Sequence, residues 1–136
     1  MNRKSIAKAA VLAEKGAYLF VITANAEGYP HAAPAARLRL ISDNEQVEVD
    51  AWFCPGTLEN LEGNKRVDLV VWDAKLDEGY QLLGRNEAVE DIAMLDGYDA
   101  SLLEKPHIPQ VERRLKVRVE KVMPFQRGSH TDEEVH

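Results

Sequence analysis

Arginine, threonine and tryptophan side chains in the first half of the chain have the types and spacing of an anion site. Arg37 and Arg39 alternate along one apolar segment, and Trp52 lies near the end of the next one. Gly56-Thr57 follows at the start of a short predicted helix. Guanidinium groups, a hydroxyl and the backbone N–H groups of a helix start together bind anions. Because Trp52-Phe53 adds a flat wall, these residues predict a site for a phosphate joined to a planar heterocycle.

The same residues also have a purely structural interpretation. If the two segments pair as a hairpin, Arg37 faces Asp50 across the strands. Arg39 then faces Glu48, and the result is an exposed ladder of ion pairs, each worth only about 0.2–1 kcal/mol. The threonine would in that case be a plain helix cap. Spacing alone does not decide between the anion site and the ladder.

Other catalytic chemistries have little support in the sequence. The four histidines are scattered, at His31, His107, His130 and His136. None forms a metal-binding pair, and Cys54 has no second cysteine with which to bind zinc, so no metal site is predicted. Cys54 beside a helix start is a minor candidate for a nucleophile. Since no nucleotide-binding glycine motif is present either, no catalytic side chain is assigned.

Length and charge narrow the remaining function classes. The chain has 136 residues, 45% hydrophobic and 29% charged, which predicts one soluble globular domain over residues 1–136. Its net charge of −6 disfavours nucleic acid as a partner. No apolar run is long enough to span a membrane, and the first residues contain no apolar signal segment. With a single cysteine, these features predict a cytoplasmic protein.

The predicted elements are mostly strands. Helix formers occupy residues 5–15, a short helix follows Pro55, and a further helix is predicted within residues 91–105. Residues 126–136 are polar and are predicted to be a loose tail. The alternating segments predict six strands, at residues 17–23, 31–41, 46–54, 66–72, 80–90 and 114–125. An antiparallel sheet closed into a small barrel, with peripheral helices, is the architecture that this pattern favours.

Two local features of these strands are specific. A four-residue loop at 42–45 predicts a hairpin in which Ile41 pairs with Gln46, because both faces of the two strands then agree. In the last strand, the step from Val119 to Val122 breaks the alternation and predicts a bulge.

Several short motifs, in order, resemble a known family. They are Gly28-Tyr29-Pro30-His31, Arg37-Leu38-Arg39-Leu40-Ile41, Gly56-Thr57-Leu58-Glu59-Asn60-Leu61, Asn64-Lys65-Arg66-Val67 and Tyr80-Gln81-Leu82-Leu83-Gly84. In order and spacing they are similar to the FMN-binding split barrels related to pyridoxamine 5′-phosphate oxidase. The resemblance implies a mainly β fold, a six-stranded antiparallel split β-barrel with peripheral helices.

The resemblance also implies a cofactor and a partner. FMN would lie at the interface of a homodimer, and the protein would be a flavin-dependent oxidoreductase acting on a small molecule. Arg37 and Thr57 would meet the phosphate, Trp52-Phe53 would line the flavin, Asn60 would steady the loop, and Gln81 would reach the ring or the ribityl chain. The other cofactor-binding positions that it implies are Leu38, Arg39, Cys54 and Gly56.

The sequence departs from the family at two places, which leaves alternatives open. Gly56 stands where the family often has a lysine, and the C-terminal arginine and tryptophan that bind vitamin B6 substrates have no counterpart here. Oxidation of vitamin B6 is therefore not predicted. The alternatives are a non-enzymatic dimeric module that has lost flavin, or a barrel that binds a deazaflavin, or haem through His31 or His107.

Overall fold

Seven strands form one antiparallel sheet in the computed structural model, which describes residues 3–41, 45–52, 55–95 and 110–135. The strand order across the sheet is β2-β1-β5-β6-β7-β4-β3. The elements are α1 (Arg3–Glu14), β1 (Tyr18–Ala24), β2 (Pro30–Pro34), β3 (Arg37–Ile41), β4 (Gln46–Trp52), α2 (Pro55–Gly63), β5 (Arg66–Asp73), β6 (Glu78–Leu95) and β7 (Gln110–Pro124). The mainly β, antiparallel fold class predicted from the sequence is confirmed, with seven strands in place of six.

The additional strand comes from a break in the segment predicted as one strand over residues 31–41. The N–H of Ala35 donates to the carbonyl of Leu19 at 2.9 Å, and the N–H of Ala36 donates to that of Asp50 at 2.8 Å. Leu19 lies on β1 and Asp50 on β4, so the chain crosses between these residues from one edge of the sheet to the other. This crossing brings the two edges together and closes the sheet into a barrel.

Alternate residues of the strands fill the barrel interior, and both helices pack against the barrel. The largest fully buried side chains come from both halves of the sheet and from α1: Ile6, Val21, Val47, Val49, Val67, Leu69, Val71, Leu82, Leu115, Val117, Val119 and Val122. Helix α1 packs against β3, β5 and β6, whereas α2 packs against β1 and β2. Neither of the two helices in the described part of the chain is long and apolar enough to cross a membrane.

The predicted hairpin and the predicted bulge are both confirmed. Strands β3 and β4 pair with Ile41 opposite Gln46 and Arg37 opposite Asp50. Most of the loop that joins β3 and β4, residues 42–44, lies outside the described residues. In β7 the register changes where Leu83 pairs with Lys121 and Gly84 with Val119, so Glu120 is the additional residue of the bulge.

One predicted helix start was wrong, and the helix predicted within residues 91–105 is tested only over residues 91–95. Residues 91–95 belong to β6 and not to a helix, because they pair with the first residues of β7; residues 96–105 of that prediction lie outside the described residues. Helix α2 begins at Pro55, so Thr57 lies inside the first turn and is not the cap. Proline suits the first helical position because it needs no N–H partner there.

The segment after β7 has no regular secondary structure, but it makes specific contacts with the barrel. The carboxylate of Asp77 accepts the backbone N–H groups of Arg127 at 2.7 Å and Gly128 at 2.8 Å. The N–H of Val135 donates to the carbonyl of Val122 at 2.7 Å.

Candidate functional site

A buried carboxylate organises three arginines on the outer face of β3, β4 and β7. Asp50 is fully buried, and it accepts hydrogen bonds from Arg37 Nε at 3.0 Å and Arg39 Nη1 at 3.1 Å. Arg114 donates to the same carboxylate through Nε at 2.8 Å and Nη2 at 3.2 Å. Burial by itself opposes ionisation of Asp50, but hydrogen bonds from the three guanidinium groups outweigh it and lower the pKa to about 2.

Two of the three arginines, Arg37 and Arg39, also form ion pairs with further carboxylates. Arg37 Nη2 lies 3.2 Å from Glu112 Oε1, and Arg39 Nη2 lies 3.4 Å from Glu48 Oε1. The hydrogen bond to Asp50 is the main reason that the pKa of Arg37 is raised. Three positive and three negative side chains therefore balance in this cluster, which we call the Asp50 cluster: Arg37, Arg39, Arg114, Glu48, Asp50 and Glu112.

The ion pairs leave part of two guanidinium groups available. The side chain of Arg37 is 53% exposed and that of Arg39 is 40% exposed. Among the described residues, Arg37 Nη1 and Arg39 Nε have no hydrogen-bond partner. Both arginines line a cleft of about 410 Å³, together with Ala36 and Leu38 of the crossing and β3 and with Ala13 and Glu14 of α1. The cleft has room for a phosphate group within reach of these N–H donors.

The predicted helix contributes a separate cluster. Thr57 is fully buried, and its Oγ1 lies 3.4 Å from His31 Nδ1. Asn60 Nδ2 donates to Thr23 Oγ1 at 3.0 Å. These contacts attach α2 to the β1–β2 hairpin. In this conformation the Thr57 and Asn60 side chains therefore hold the helix against the sheet.

The predicted site residues thus fall into distinct groups. Arg37 and Arg39 lie together beside the cleft, and Trp52, 42% exposed, lies two residues beyond Asp50 on the same strand. Thr57 contacts β2 at His31, near the start of that strand, whereas Arg37 begins β3, beyond the far end of β2 and the crossing. Of the other predicted positions, the Leu38 side chain is buried in the core, Gly56 is partly exposed in the first turn of α2, and Phe53 and Cys54 lie outside the described residues.

Gln81 lies on the outer face of another part of the sheet. Its Nε2 donates to Asp68 Oδ2 at 3.3 Å. Burial is the main reason that the pKa of Asp68 is raised, and the hydrogen bond from Gln81 opposes this effect. Around this pair the outer face of β1, β5 and β6 is apolar, with Phe20, Ile22, Val70 and Leu83 in adjoining register positions. The Gln81–Asp68 pair therefore lies beside a group of apolar side chains, which is bordered on β7 by Lys121 opposite Leu83.

Four residues of the Asp50 cluster were not predicted as site residues: Glu48 and Asp50 were expected only as ion-pair partners of the arginines, and Arg114 and Glu112 were not singled out. Arg114 and Glu112 belong to a basic segment, residues 111–127, which has six basic and two acidic residues, but their partners follow from the register of β4 against β7. Other cations of this segment form ion pairs with carboxylates of β6, in the pairs Arg113–Asp91, Lys116–Glu90 and Arg118–Glu87. Most of this segment is therefore a balanced, solvated strand face.

Comparison with solved structures shows what kind of barrel this is. An FMN-binding protein from Syntrophomonas wolfei matches with a TM-score of 0.66 at 16% identity, covering 91% of this chain and 88% of that one. A pyridoxamine 5′-phosphate oxidase-related, FMN-binding protein from Nostoc punctiforme matches with a TM-score of 0.61 at 13% identity, covering 94% of this chain and 86% of that one. The chain has the fold of the FMN-binding split barrels related to pyridoxamine 5′-phosphate oxidase. An F420 reductase shares the split barrel as well, with a TM-score of 0.56 at 15% identity, covering 82% of this chain and 93% of that one.

Sequence comparison adds nothing to this assignment of the split barrel. No protein-family model matches the chain. No curated protein matches it either. The split-barrel assignment therefore depends on the course of the backbone, and the roles of individual side chains have to be argued from this chain.

The residues of this split barrel fit FMN in two respects. The unpartnered N–H groups of Arg37 and Arg39 at the cleft suit a phosphate, because a guanidinium donates charge-assisted hydrogen bonds to phosphate oxygens. The apolar outer face around Gln81 suits a planar ring that also needs a polar contact. The carboxylates of the Asp50 cluster offset part of the attraction for a dianion.

Proposed function

We propose that this protein binds FMN and acts as a flavin-dependent oxidoreductase on a small molecule, as a cytoplasmic homodimer. The observation that supports this most directly is the half-exposed guanidinium of Arg37, which lines a cleft of about 410 Å³ in a fold shared with FMN-binding proteins. FMN, when bound, supplies the redox chemistry, which agrees with the absence of an assigned catalytic side chain.

Each predicted residue takes a role that its position allows. Arg37 and Arg39 donate to the phosphate, and the backbone at Leu38 forms the cleft wall between them. Trp52 provides a partly exposed aromatic surface beside the cluster. Phe53 and Cys54, which lie outside the described residues, keep the flavin-lining role that the family resemblance implies. Thr57 and Asn60 hold α2 in place, Gly56 keeps its first turn open, and Gln81 offers its amide to the flavin of the neighbouring subunit.

The test of this proposal compares FMN with riboflavin, which lacks the phosphate. In Arg37→Ala we expect the affinity for FMN to fall by roughly 10- to 100-fold, because one charge-assisted hydrogen bond is worth about 1.5–3 kcal/mol. The affinity for riboflavin should change less than threefold. Isothermal titration calorimetry with both ligands measures the difference.

Arg118→Ala provides a matched control for the loss of an exposed arginine. Arg118 lies on the same outer sheet face, forms an ion pair with Glu87 at 3.1 Å and is similarly exposed, but it does not line the cleft. It should bind both ligands like the wild type. Absence of FMN binding by the wild-type protein at high concentration would refute the proposal, and equal losses for FMN and riboflavin in Arg37→Ala would refute the phosphate assignment.

The homodimer is proposed to form through the outer face around Phe20 and Ile22, whose side chains are partly exposed. Ile22→Lys should raise the dimer dissociation constant at least 100-fold, since an interface would have to bury an ammonium group. The monomer should still fold, because Ile22 lies directly opposite Asp68, and the new lysine can pair with that carboxylate. Analytical ultracentrifugation measures the change.

Val11→Lys is the control for the dimer experiment. Val11 is an exposed apolar residue of α1, away from the proposed interface. Its substitution should leave the dimer intact. If Ile22→Lys stays as dimeric as this control, the interface lies elsewhere.

A non-enzymatic dimeric module is the second candidate function. The balanced charges of the Asp50 cluster and the burial of Thr57 favour it, because both weaken the hold on a dianion. A dimer that takes up neither FMN nor riboflavin would select this function. A dimer that takes up only a deazaflavin would instead point to the cofactor class for which the F420 reductase is named.

A further inference from the structure

Glu112 differs from Asp50 in how it is held. Asp50 accepts four N–H bonds between 2.8 and 3.2 Å, and it is fully buried, so no ligand can replace it without leaving a buried charge uncompensated. Glu112 makes one contact, 3.2 Å to Arg37 Nη2, and its side chain, although mostly covered, keeps 12% of its surface exposed, so its carboxylate can reach solvent once the contact is broken. Among the described residues it has no other hydrogen-bond partner.

Glu112 also contacts the edge of the Arg37 guanidinium to which a phosphate would bind. Arg37 Nε donates to Asp50. The outer edge of the guanidinium consists of Nη2, which donates to Glu112, and Nη1, which has no partner within the described part of the chain. A phosphate binds a guanidinium through two parallel N–H bonds along one edge. Two oxygens of a phosphate on Nη1 and Nη2 would therefore compete directly with the Glu112 carboxylate.

We propose that Glu112 is an internal competitor that sets the charge specificity of this site: its carboxylate occupies the outer edge of Arg37 until a dianionic phosphate displaces it. This inference rests on the proposed function for the identity of the ligand. A ligand that carries only a carboxylate would exchange one carboxylate for another and gain little. A dianionic phosphate carries a second negative charge, so the arginines held by Asp50 attract it more strongly than they attract a carboxylate. Glu112 therefore excludes singly charged ligands and lowers the affinity for phosphates.

The test is Glu112→Gln, which removes the charge and keeps the size and an acceptor oxygen. We expect this variant to bind FMN roughly 5- to 10-fold more tightly than the wild type and riboflavin equally well. Inorganic phosphate, followed through the Arg37 Nε–H signal in ¹⁵N NMR spectra, should also bind more tightly. Glu87→Gln, which removes a carboxylate paired with Arg118 on the same sheet, should leave all three affinities unchanged.

The outcomes separate this inference from the proposed function. If the wild type binds FMN but Glu112→Gln binds it equally or more weakly, Glu112 is not a competitor and the inference is overturned. If neither protein binds FMN, the proposed function fails. The phosphate titration then decides the inference alone: tighter binding by the variant supports it, and equal or weaker binding overturns it.

Discussion

Replacing Asp50 by asparagine is expected to lower the free energy of unfolding by about 3 kcal/mol, because three guanidinium groups lose the one charge that they share. Asparagine keeps the size of the side chain, but it cannot compensate positive charge, and its amide N–H₂ faces donors. The Asp50 carboxylate is fully buried and has no access to water that could replace these bonds. Urea unfolding at pH 7, followed by circular dichroism, measures the loss.

The pH dependence of this loss follows from the lowered pKa of Asp50. The value is about 2 in the folded protein against 3.8 for an ordinary aspartate, so the ionised form stabilises the fold above pH 4. That stabilisation, about 2 kcal/mol, disappears as the pH falls from 4 to 2. The difference in stability between the wild type and Asp50→Asn should therefore narrow over this interval.

Glu90→Gln is the control for the Asp50 experiment. Glu90 forms a short ion pair with Lys116, 2.7 Å, but both side chains are substantially exposed. Its loss should cost far less than the loss of Asp50 at pH 7, because exposed ion pairs contribute little to stability. A loss for Asp50→Asn that is no larger than that of the control would mean that the Asp50 cluster does not stabilise the barrel.

Gly84→Ala is expected to have an effect of similar size for a steric reason. Gly84 lies on β6 where the register changes at the β7 bulge. A Cβ at this position would overlap the backbone carbonyl oxygen of Arg118 and would approach Val117 Cγ1 to 2.9 Å. Because a backbone atom of a central strand cannot move alone, we expect a loss of about 3 kcal/mol in the free energy of unfolding.

Gly63→Ala tests whether that loss is specific to the position. A Cβ added to Gly63, the last residue of α2, would meet nothing within 4 Å. This substitution should change stability by less than 1 kcal/mol. Differential scanning calorimetry of both variants decides the matter, and near-equal melting temperatures would show that β7 has room for a side chain at residue 84.

The local parts of the fold were predictable because the apolar pattern on one face of the strands and the charge pattern on the other face indicate the same pairing. The register of β3 and β4 follows from apolar residues on one face and complementary charges on the other, so Arg37 opposite Asp50 could be read directly from the chain. The bulge in β7 was visible for the same reason, as a break in a regular alternation. Such features need only neighbouring residues.

What the sequence could not supply depends on contacts between distant segments. Residues 91–95 have the composition of a helix, but pairing with the start of β7 makes them a strand, and Arg113 then reaches Asp91 at 3.0 Å. Ala35 and Ala36 carry no signal of a crossing, since their small side chains fit a continuous strand equally well. In the site, the convergence of Arg114 on Asp50 spans 64 residues, so only the sheet order reveals it.

The crossing at Ala35–Ala36 gives helix α1 an importance beyond the surface that it covers. Strands β2 and β3 are the two outermost strands, and each has a single hydrogen-bonded neighbour. Helix α1 contacts β3 on one side of this junction and β5 and β6 on the other, with Ile6 and Ala9 wholly enclosed. Helix α1 therefore ties the edge strand β3 to strands of the other half of the sheet, so closure of the barrel depends on this helix as well as on the crossing.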